Sequence, residues 1–189
     1  MTDRAPVDPD SRPAALGVSP LRRIPLALRM LFYGVVFLAA VLVGLPWAFY
    51  QIDVYFPAVH VEFGWIRIAG LVLFAVCLAA YLGSSYVLSR HGKGAYVEFD
   101  PPSQLVVVGP FRHVRNPVAA CLVAAMLGEA IALSSSGVLA MFCVFAVLAH
   151  WQVVRVEEPL LRQRFGRAYE DYCARVPRWI PRLGGREKR

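Results

Sequence analysis

Charged residues are scarce in this chain: Asp, Glu, Lys and Arg make up 17% of its 189 residues, whereas 58% are apolar. Soluble globular domains ordinarily carry about a quarter of charged residues. The shortage of charge therefore excludes an ordinary soluble domain and indicates a protein of the lipid bilayer.

Cysteine is also scarce, with four residues and no CxxC pair. Three of them, Cys77, Cys121 and Cys143, lie inside apolar stretches, so we expect small buried side chains rather than a disulfide framework or a metal site. The GKG sequence at 92–94 has no Walker pattern around it. The chain also lacks an internal repeat, which disfavours a small transporter, and no feature favours a nucleic-acid partner.

Four long apolar windows carry most of the hydrophobic residues. They are Leu31–Phe49, Ile68–Leu88, Val118–Leu133 and Gly137–Val154. A helix needs about 17–25 mostly apolar residues to cross a bilayer. The sequence therefore predicts an all-α integral membrane protein with four transmembrane helices, the last two forming a short hairpin around Ser134–Ser136. Pro46 predicts a kink or an early end of the first helix, and the 50–67 segment with Asp53 is predicted to be an external loop.

The basic residues predict the orientation of the chain. All but one of the 20 Lys and Arg residues precede the first window, lie in the 89–117 connection, or follow from Arg155 onward; the exception is Arg67. By the positive-inside rule, both termini are expected in the cytoplasm, with the four helices in the plasma or inner membrane.

The C-terminal part changes character after Arg155. Apolar side chains recur there at helical spacing, namely Leu161, Phe165, Ala168, Tyr172 and Val176. This pattern predicts one cytoplasmic amphipathic helix. We divide the chain into a flexible arm at 1–25, two membrane helices at 26–89, a core at 90–182 and a basic tail at 183–189.

Polar residues gather in GPFRHVRNP at positions 109–117, directly before the third window. In one interpretation Asn116 is the N-cap of the third helix and Pro117 its first residue, and the arginines are ordinary flanking charges. In the other, the arginines and the free N–H groups of the helix start form an anion site. Both interpretations fit the local sequence.

Acidic and ionisable residues gather around the fourth window. Glu157 and Glu158 precede Pro159, where they either favour a helix start or bind a ligand's ammonium or hydroxyl groups. His150 lies within the apolar window, and an ionisable residue at membrane depth indicates a functional site. Hydrogen bonding between packed helices is the alternative for His150, and for Glu129 this packing role is favoured over a functional site.

Two blocks in this order, DPPSQLVVVGPFRHVRNP and EEPLLRQRFGRAYEDYCARVPRWIP, resemble the isoprenylcysteine carboxyl methyltransferase family. They are similar at the same sites to phosphatidylethanolamine N-methyltransferases. The resemblance covers roughly residues 92–182, about half of the chain. It implies an integral membrane enzyme that transfers a methyl group from S-adenosylmethionine to a lipophilic acceptor, such as an isoprenylcysteine carboxylate, a phospholipid amine or an isoprenoid lipid.

The resemblance also implies the site. Catalytic roles fall to Arg115, Asn116, His150 and Glu158, and cofactor contacts to Gly109, Pro110, Phe111, Arg112, His113, Arg115, Asn116, Arg155, Glu157, Glu158, Tyr169, Tyr172, Pro177 and Arg178. His150 or a glutamate is the candidate base for an amine or hydroxyl acceptor, whereas a carboxylate needs none. The family usually continues M-Y-x-G after its proline, but here Val118, Ala119, Ala120 and Cys121 follow. An inactive, methyltransferase-like binding or assembly protein is the alternative.

Overall fold

The computed structural model describes residues 26–56, 62–92 and 103–181, and the regular structure within these ranges is entirely helical. The α-helices are α1 (Leu26–Ala39), α2 (Leu45–Tyr55), α3 (Ile66–Gly92), α4 (Pro117–Leu133), α5 (Ser136–Gln152), α6 (Glu158–Phe165) and α7 (Arg167–Arg175). The predicted arm at 1–25 and the basic tail at 183–189 lie outside the described residues.

The first membrane helix is longer than predicted. A five-residue π-helical segment, Ala40–Gly44, joins α1 to α2 without a break, and Pro46 lies in the first turn of α2 instead of ending the helix. The continuous apolar helix runs from Gly34 to Tyr55. The expectation that residues 50–55 belong to a loop is therefore wrong, and Asp53 is a helical residue.

The predicted fold class is confirmed. Within the described residues, three continuous helices are long and apolar enough to cross a bilayer, namely Gly34–Tyr55, Ile66–Gly92 and Ser136–Phe165. A further apolar helix, α4, has 17 residues and lies at the short end of the spanning range. The α4–α5 hairpin is present where the SSS sequence predicted it, because Ser134 adopts a left-handed conformation (φ 53°) that reverses the chain.

Helices α3 and α4 approach closely because glycines lie where they meet. A Cβ atom on Gly70 would come within 2.7 Å of the Ala132 backbone nitrogen, and one on Gly128 within 2.5 Å of the Phe74 nitrogen. Membrane helices use such small residues to bring their backbones into van der Waals contact. The position of α4, and hence of everything attached to its start, depends on these two glycines.

A buried carboxylate fastens the hairpin to α2. Asp53, 7% exposed, accepts hydrogen bonds from the hydroxyls of Ser135 and Ser136 (2.5 Å for Ser136) and from the Gly137 N–H (3.2 Å). The Ser135 hydroxyl in turn accepts from the Val138 N–H at 3.0 Å, as an N-cap does. The polar groups of the hairpin turn are therefore hydrogen-bonded. The turn lies at the end of the helix bundle opposite the GPFRHVRNP segment.

The C-terminal helix differs from its prediction. A second π-helical segment, Val153–Glu157, carries α5 directly into α6, so the fourth span and the start of the tail form one continuous helix. The tail then breaks at Gly166 (φ +50°) into α6 and α7, and is not one amphipathic helix. Four of the five predicted apolar positions pack together there nonetheless: Leu161, Phe165, Tyr172 and Val176. Ala168 is exposed, and the buried Tyr169 lies in the cluster instead.

Candidate functional site

Glu158 is the centre of the polar cluster at the start of α6. Its side chain is 1% exposed and binds three guanidinium groups. Arg178 donates from Nε (2.6 Å) and Nη2 (3.0 Å) to its two oxygens, Arg115 Nη1 lies 3.2 Å from Oε1, and Arg162 Nη2 lies 3.1 Å from Oε2. Both carboxylate oxygens of Glu158 are thus already engaged by arginines.

The tail segment after α7 closes on the start of α4. The backbone N–H of Arg115 donates to the backbone carbonyl of Pro177 at 2.8 Å, and the backbone N–H of Asn116 donates to that of Arg178 at 3.3 Å. Two backbone hydrogen bonds therefore fix residues 177 and 178 against the GPFRHVRNP segment. The arginine-rich segment before the third span and the second glutamate after the fourth, far apart in sequence, meet here.

Buried tyrosines support the same contact. The Tyr172 hydroxyl donates to the Phe111 carbonyl at 2.7 Å, and Tyr169 and Tyr172 pack with Val176 and Leu105. Burial raises the pKa of both tyrosine hydroxyls. Each hydroxyl therefore keeps its proton, and Tyr172 remains a donor to the Phe111 carbonyl.

The cluster carries an excess of positive charge. The hydrogen bond to Glu158 raises the pKa of Arg178, which keeps this guanidinium charged. Three guanidinium groups thus surround one carboxylate, and Arg115 Nη1 also contacts the Cys173 sulfur at 2.6 Å. A site with more cations than carboxylates favours an anionic ligand group.

Two buried donors in this cluster have no hydrogen-bond partner among the described residues: Arg115 Nε and Asn116 Nδ2. Asn116 occupies the N-cap position of α4, but its side chain makes no capping hydrogen bond. Buried polar groups are normally paired, because an unpaired one costs about 1–3 kcal/mol. The two donors therefore suit a ligand with acceptor oxygens, and the capping interpretation does not account for the Asn116 side chain.

An apolar groove of about 380 Å³ leads away from this cluster between α4 and α5. Its walls are formed by Ala120, Val123, Ala124, Leu127, Phe142, Ala146 and Ala149. Because the two helices are antiparallel, Ala120 and Ala149 lie at the end of the groove that is close to Asn116. The volume falls within the range typical of small-molecule sites, about 300–1,000 Å³.

His150 and Trp179 line the same end of the groove. The Trp179 indole N–H donates to His150 Nδ1 at 3.2 Å, and the two rings lie 5.9 Å apart between centroids. Arg178 binds Glu158, and the next residue, Trp179, lines the groove. The same short segment therefore contacts both the Glu158 cluster and the groove.

Other residues named from the sequence lie around the cluster. Gly109 (φ +59°) and Pro110 begin a 3₁₀ turn that ends at Arg112. The side chains of Arg112, His113 and Arg155 are exposed, and Glu157 is half-buried at the end of the second π-helical segment. The structure thus gathers Arg115, Asn116, Glu158 and Arg178 at one point.

Comparison with known families decides the class of protein. A family model described as phospholipid methyltransferase matches residues 65–168, more than half of the chain. The chain belongs to this family. The phospholipid methyltransferase match includes α3, the α4–α5 hairpin and Glu158, whereas Tyr172, Arg178 and Trp179 lie beyond it.

A curated relative is similar over a shorter range. The nickel-cobalt-cadmium resistance protein NccN of Alcaligenes xylosoxydans xylosoxydans is 28% identical over 88 residues, which is 47% of this chain and 41% of the relative. The matched region thus spans about two fifths of the length of NccN. The search of solved structures found no match.

Three residues that contact the Glu158 cluster or the groove were missing from the sequence-based set: Arg162, Cys173 and Trp179. Arg162 lies four residues after Glu158, a spacing at which helical side chains of opposite charge pair, so this contact had a signal in the sequence. Trp179 lies within the second of the two sequence blocks, but its partner His150 lies 29 positions away, and local spacing does not reveal such a contact.

Proposed function

We propose that this family member transfers a methyl group from S-adenosylmethionine to a lipophilic acceptor that enters through the α4–α5 groove. The observation that carries the proposal is that an apolar groove in the spanning region ends beside a buried polar cluster, two of whose donors have no partner among the described residues. Family membership supports methyl transfer in general. The inactive binding protein named as an alternative gains no support from the comparisons.

The cluster offers donors that suit the carboxylate of the cofactor, but its own carboxylate, Glu158, does not suit the ammonium group of the cofactor. Arg115 Nε and Asn116 Nδ2 suit its carboxylate, since both are buried donors without partners among the described residues. Glu158 does not suit its ammonium group, because both oxygens of this carboxylate already bind arginines. Glu158 is therefore proposed to hold the arginines in position.

When bound, S-adenosylmethionine supplies an electrophilic methyl group. The protein's contribution is to hold the acceptor in line with that group and to keep water away. The alanine-lined walls of the groove orient an apolar chain, and the Glu158 cluster keeps Arg115 directed toward the same point. The 177–179 segment closes this end of the groove from the side of the tail.

Calorimetric titration of S-adenosylmethionine into the detergent-purified protein tests the proposal. We expect saturable binding, and at least about tenfold weaker binding in Asn116→Ala, since one buried hydrogen bond to a charged group is lost. Arg164→Ala, an exposed residue of α6, is the matched control and should bind as the wild type does. No binding by the wild type at millimolar ligand would refute the proposal, and an unchanged affinity of Asn116→Ala would remove Asn116 from the site.

The acceptor is sought with the same preparation. Incubation with methyl-labelled cofactor and a native membrane extract should place label in the lipid fraction. Ala124→Phe, which fills the groove, should abolish that incorporation while leaving cofactor binding intact. Incorporation that persists in Ala124→Phe would exclude the groove as the route of the acceptor.

A further inference from the structure

A second cavity, of about 350 Å³, lies at the end of α3. Its walls are the last turn of α3 and the extended segment before the 3₁₀ turn, namely Arg90, His91 and Gln104–Val108. Among the described residues, none lines both this cavity and the α4–α5 groove. The volume falls within the range of small-molecule sites, about 300–1,000 Å³, so the cavity is a separate candidate for a ligand.

The extended wall of this cavity is held against α3 at both of its ends. The backbone N–H of Ser103 (2.8 Å) and its hydroxyl (3.2 Å) donate to the Gly92 carbonyl. At the other end Gly109 lies so close to α3 that a Cβ atom on it would be 3.6 Å from the Val87 side chain. The cavity lies between these two attachment points and is therefore part of the fold.

Two basic side chains give the cavity its polar character. Arg90 Nη1 donates to the Tyr86 hydroxyl at 3.0 Å, which directs the guanidinium along the end of α3. His91 Nδ1 lies 3.0 Å from the Val87 carbonyl, and because a carbonyl only accepts, Nε2 is the ring nitrogen that a ligand can contact. The described lining residues include no carboxylate. Such a wall favours an anionic group, and an arginine fork suits phosphate oxygens in particular.

The length of α3 places the cavity at the depth of the lipid headgroups. The helix has 27 residues. At a rise of about 1.5 Å per residue it is roughly 40 Å long, which matches the thickness of a bilayer with its headgroup regions, about 40–45 Å. Tyr86, one turn before Arg90, is 61% exposed, as is typical of tyrosines at a membrane–water interface. The last turn of α3 therefore lies where lipid phosphates lie.

We propose that this cavity binds the headgroup of an anionic phospholipid. Arg90 and His91 contact the phosphate, and the apolar wall Leu105–Val108 packs against the glycerol and the first methylene groups. A zwitterionic headgroup also carries an ammonium group, for which the described wall offers no carboxylate. The site therefore selects anionic over zwitterionic phospholipids. Because it lies apart from the α4–α5 groove, the lipid that it holds is not the methyl acceptor.

Native mass spectrometry of the detergent-purified protein tests the selection, with dioleoylphosphatidylglycerol and dioleoylphosphatidylcholine as the probes. The wild type should bind phosphatidylglycerol at least about tenfold more tightly, which corresponds to one charge-assisted hydrogen bond. In Arg90→Ala the ratio of the two affinities should fall toward one. Arg175→Ala is the matched control, since it removes an exposed arginine of α7 that does not line the cavity, and should keep the wild-type ratio.

Two further measurements separate a defined lipid site from general attraction by positive charge. Val107→Trp keeps both basic side chains but fills the cavity, so it should lose the preference for phosphatidylglycerol while circular dichroism shows an unchanged helix content. Millimolar inorganic phosphate should not displace phosphatidylglycerol from the wild type, because free phosphate makes no contact with the apolar wall.

Several outcomes would overturn the proposal. They are equal affinities of the wild type for the two lipids, an unchanged preference in Arg90→Ala or Val107→Trp, and equal losses in Arg90→Ala and Arg175→Ala. Displacement by inorganic phosphate would overturn the lipid as the occupant.

Calorimetry with S-adenosylmethionine distinguishes this site from that of the proposed function. Arg90→Ala should bind the cofactor as the wild type does, and a loss of cofactor binding in this variant would assign the cavity to the cofactor and overturn the proposal. A wild type that binds phosphatidylglycerol selectively but binds no cofactor would refute only the proposed function, because lipid binding here does not depend on methyl transfer.

Discussion

At the scale of single residues, burial decides what the charged groups of this protein do. Glu158 is almost fully buried, whereas Arg162 and Arg178 keep 46% and 30% of their side chains exposed. Water has little access to the Glu158 carboxylate, so water cannot replace this carboxylate as the partner of the arginines. Its loss leaves Arg115, itself 10% exposed, without an anionic partner in the cluster.

Replacing this carboxylate should destabilise the protein. We expect Glu158→Gln to lower the free energy of unfolding by about 3 kcal/mol, because removing one member of a buried ion pair leaves the other charge uncompensated. Thermal unfolding in detergent, followed by circular dichroism, measures the effect. Glu170→Gln on the exposed face of α7 is the control and should change stability by less than about 0.5 kcal/mol. Equal stability of the two variants would contradict the structural role given to Glu158.

At the scale of elements, a π-helical segment precedes each of two prolines that lie within continuous helices. Pro46 and Pro159 each follow a five-residue π-helical segment, in which the N–H of the next residue donates across five positions, from Leu45 to Ala40 and from Glu158 to Val153. A proline ring clashes with the carbonyl four residues earlier in an α-helix. In both cases the carbonyl four residues before the proline belongs to the π-helical segment. The wider turn of that segment avoids the clash, so the helix continues. The second π-helical segment also precedes Glu158 directly and so sets the direction in which this side chain leaves the helix.

The packing of α3 on α4 gives a prediction at this scale. Gly70→Ala should cost about 1–3 kcal/mol, because the added Cβ would overlap with backbone atoms of Ala132 and Gly128, which cannot move independently. Unfolding in mixed detergent micelles with increasing dodecyl sulfate measures the loss. Gly83→Ala in the same helix is the matched control, because no atom lies within 4 Å of its Cβ position. We expect Gly83→Ala to be neutral or slightly stabilising. The close-packing argument fails if both variants behave alike.

At the scale of the whole molecule, the site and the hairpin turn lie at opposite ends of the helices. The Glu158 cluster assembles from the segment before α4, the start of α6 and the segment after α7. Asp53 fastens the hairpin turn at the other end, and Arg67 Nε donates to the Ala132 carbonyl there at 3.0 Å. The α4–α5 hairpin, which forms the groove, is thus held at both of its ends.

The orientation predicted from the basic residues is tested by labelling. In a cysteine-free background, we expect Arg175→Cys to react with an impermeant maleimide only after the cytoplasmic side is opened, because all but one of the basic residues precede the first window, lie in the 89–117 connection or follow from Arg155 onward in the sequence. Trp65→Cys, at the start of α3 and 81% exposed, should react in intact cells. The reverse pattern would invert the topology, and labelling of both positions from one side would contradict an odd number of spans between them.

Much of the architecture was predictable because it depends on local properties of the chain. Hydropathy and window length predicted the membrane helices, and the family resemblance assigned Arg115 and Glu158 to one site. The length of the first helix and the break at Gly166 were predicted wrongly. A proline following a π-helical segment has no distinct pattern in sequence, and the spacing of Leu161 to Val176 is satisfied equally by one helix or by two that fold onto the same core.

The sequence alone determined that this chain is a helical membrane protein with its polar chemistry at one end, because apolar content, helical period and charge asymmetry act over short stretches. The tertiary structure decided which groups of that end are engaged and which remain available. Among the described residues, Glu158 binds three arginines, Asn116 Nδ2 has no hydrogen-bond partner, and the Trp179 indole N–H donates to His150 Nδ1. These outcomes depend on distances between residues far apart along the chain, which only the packing of the helices establishes.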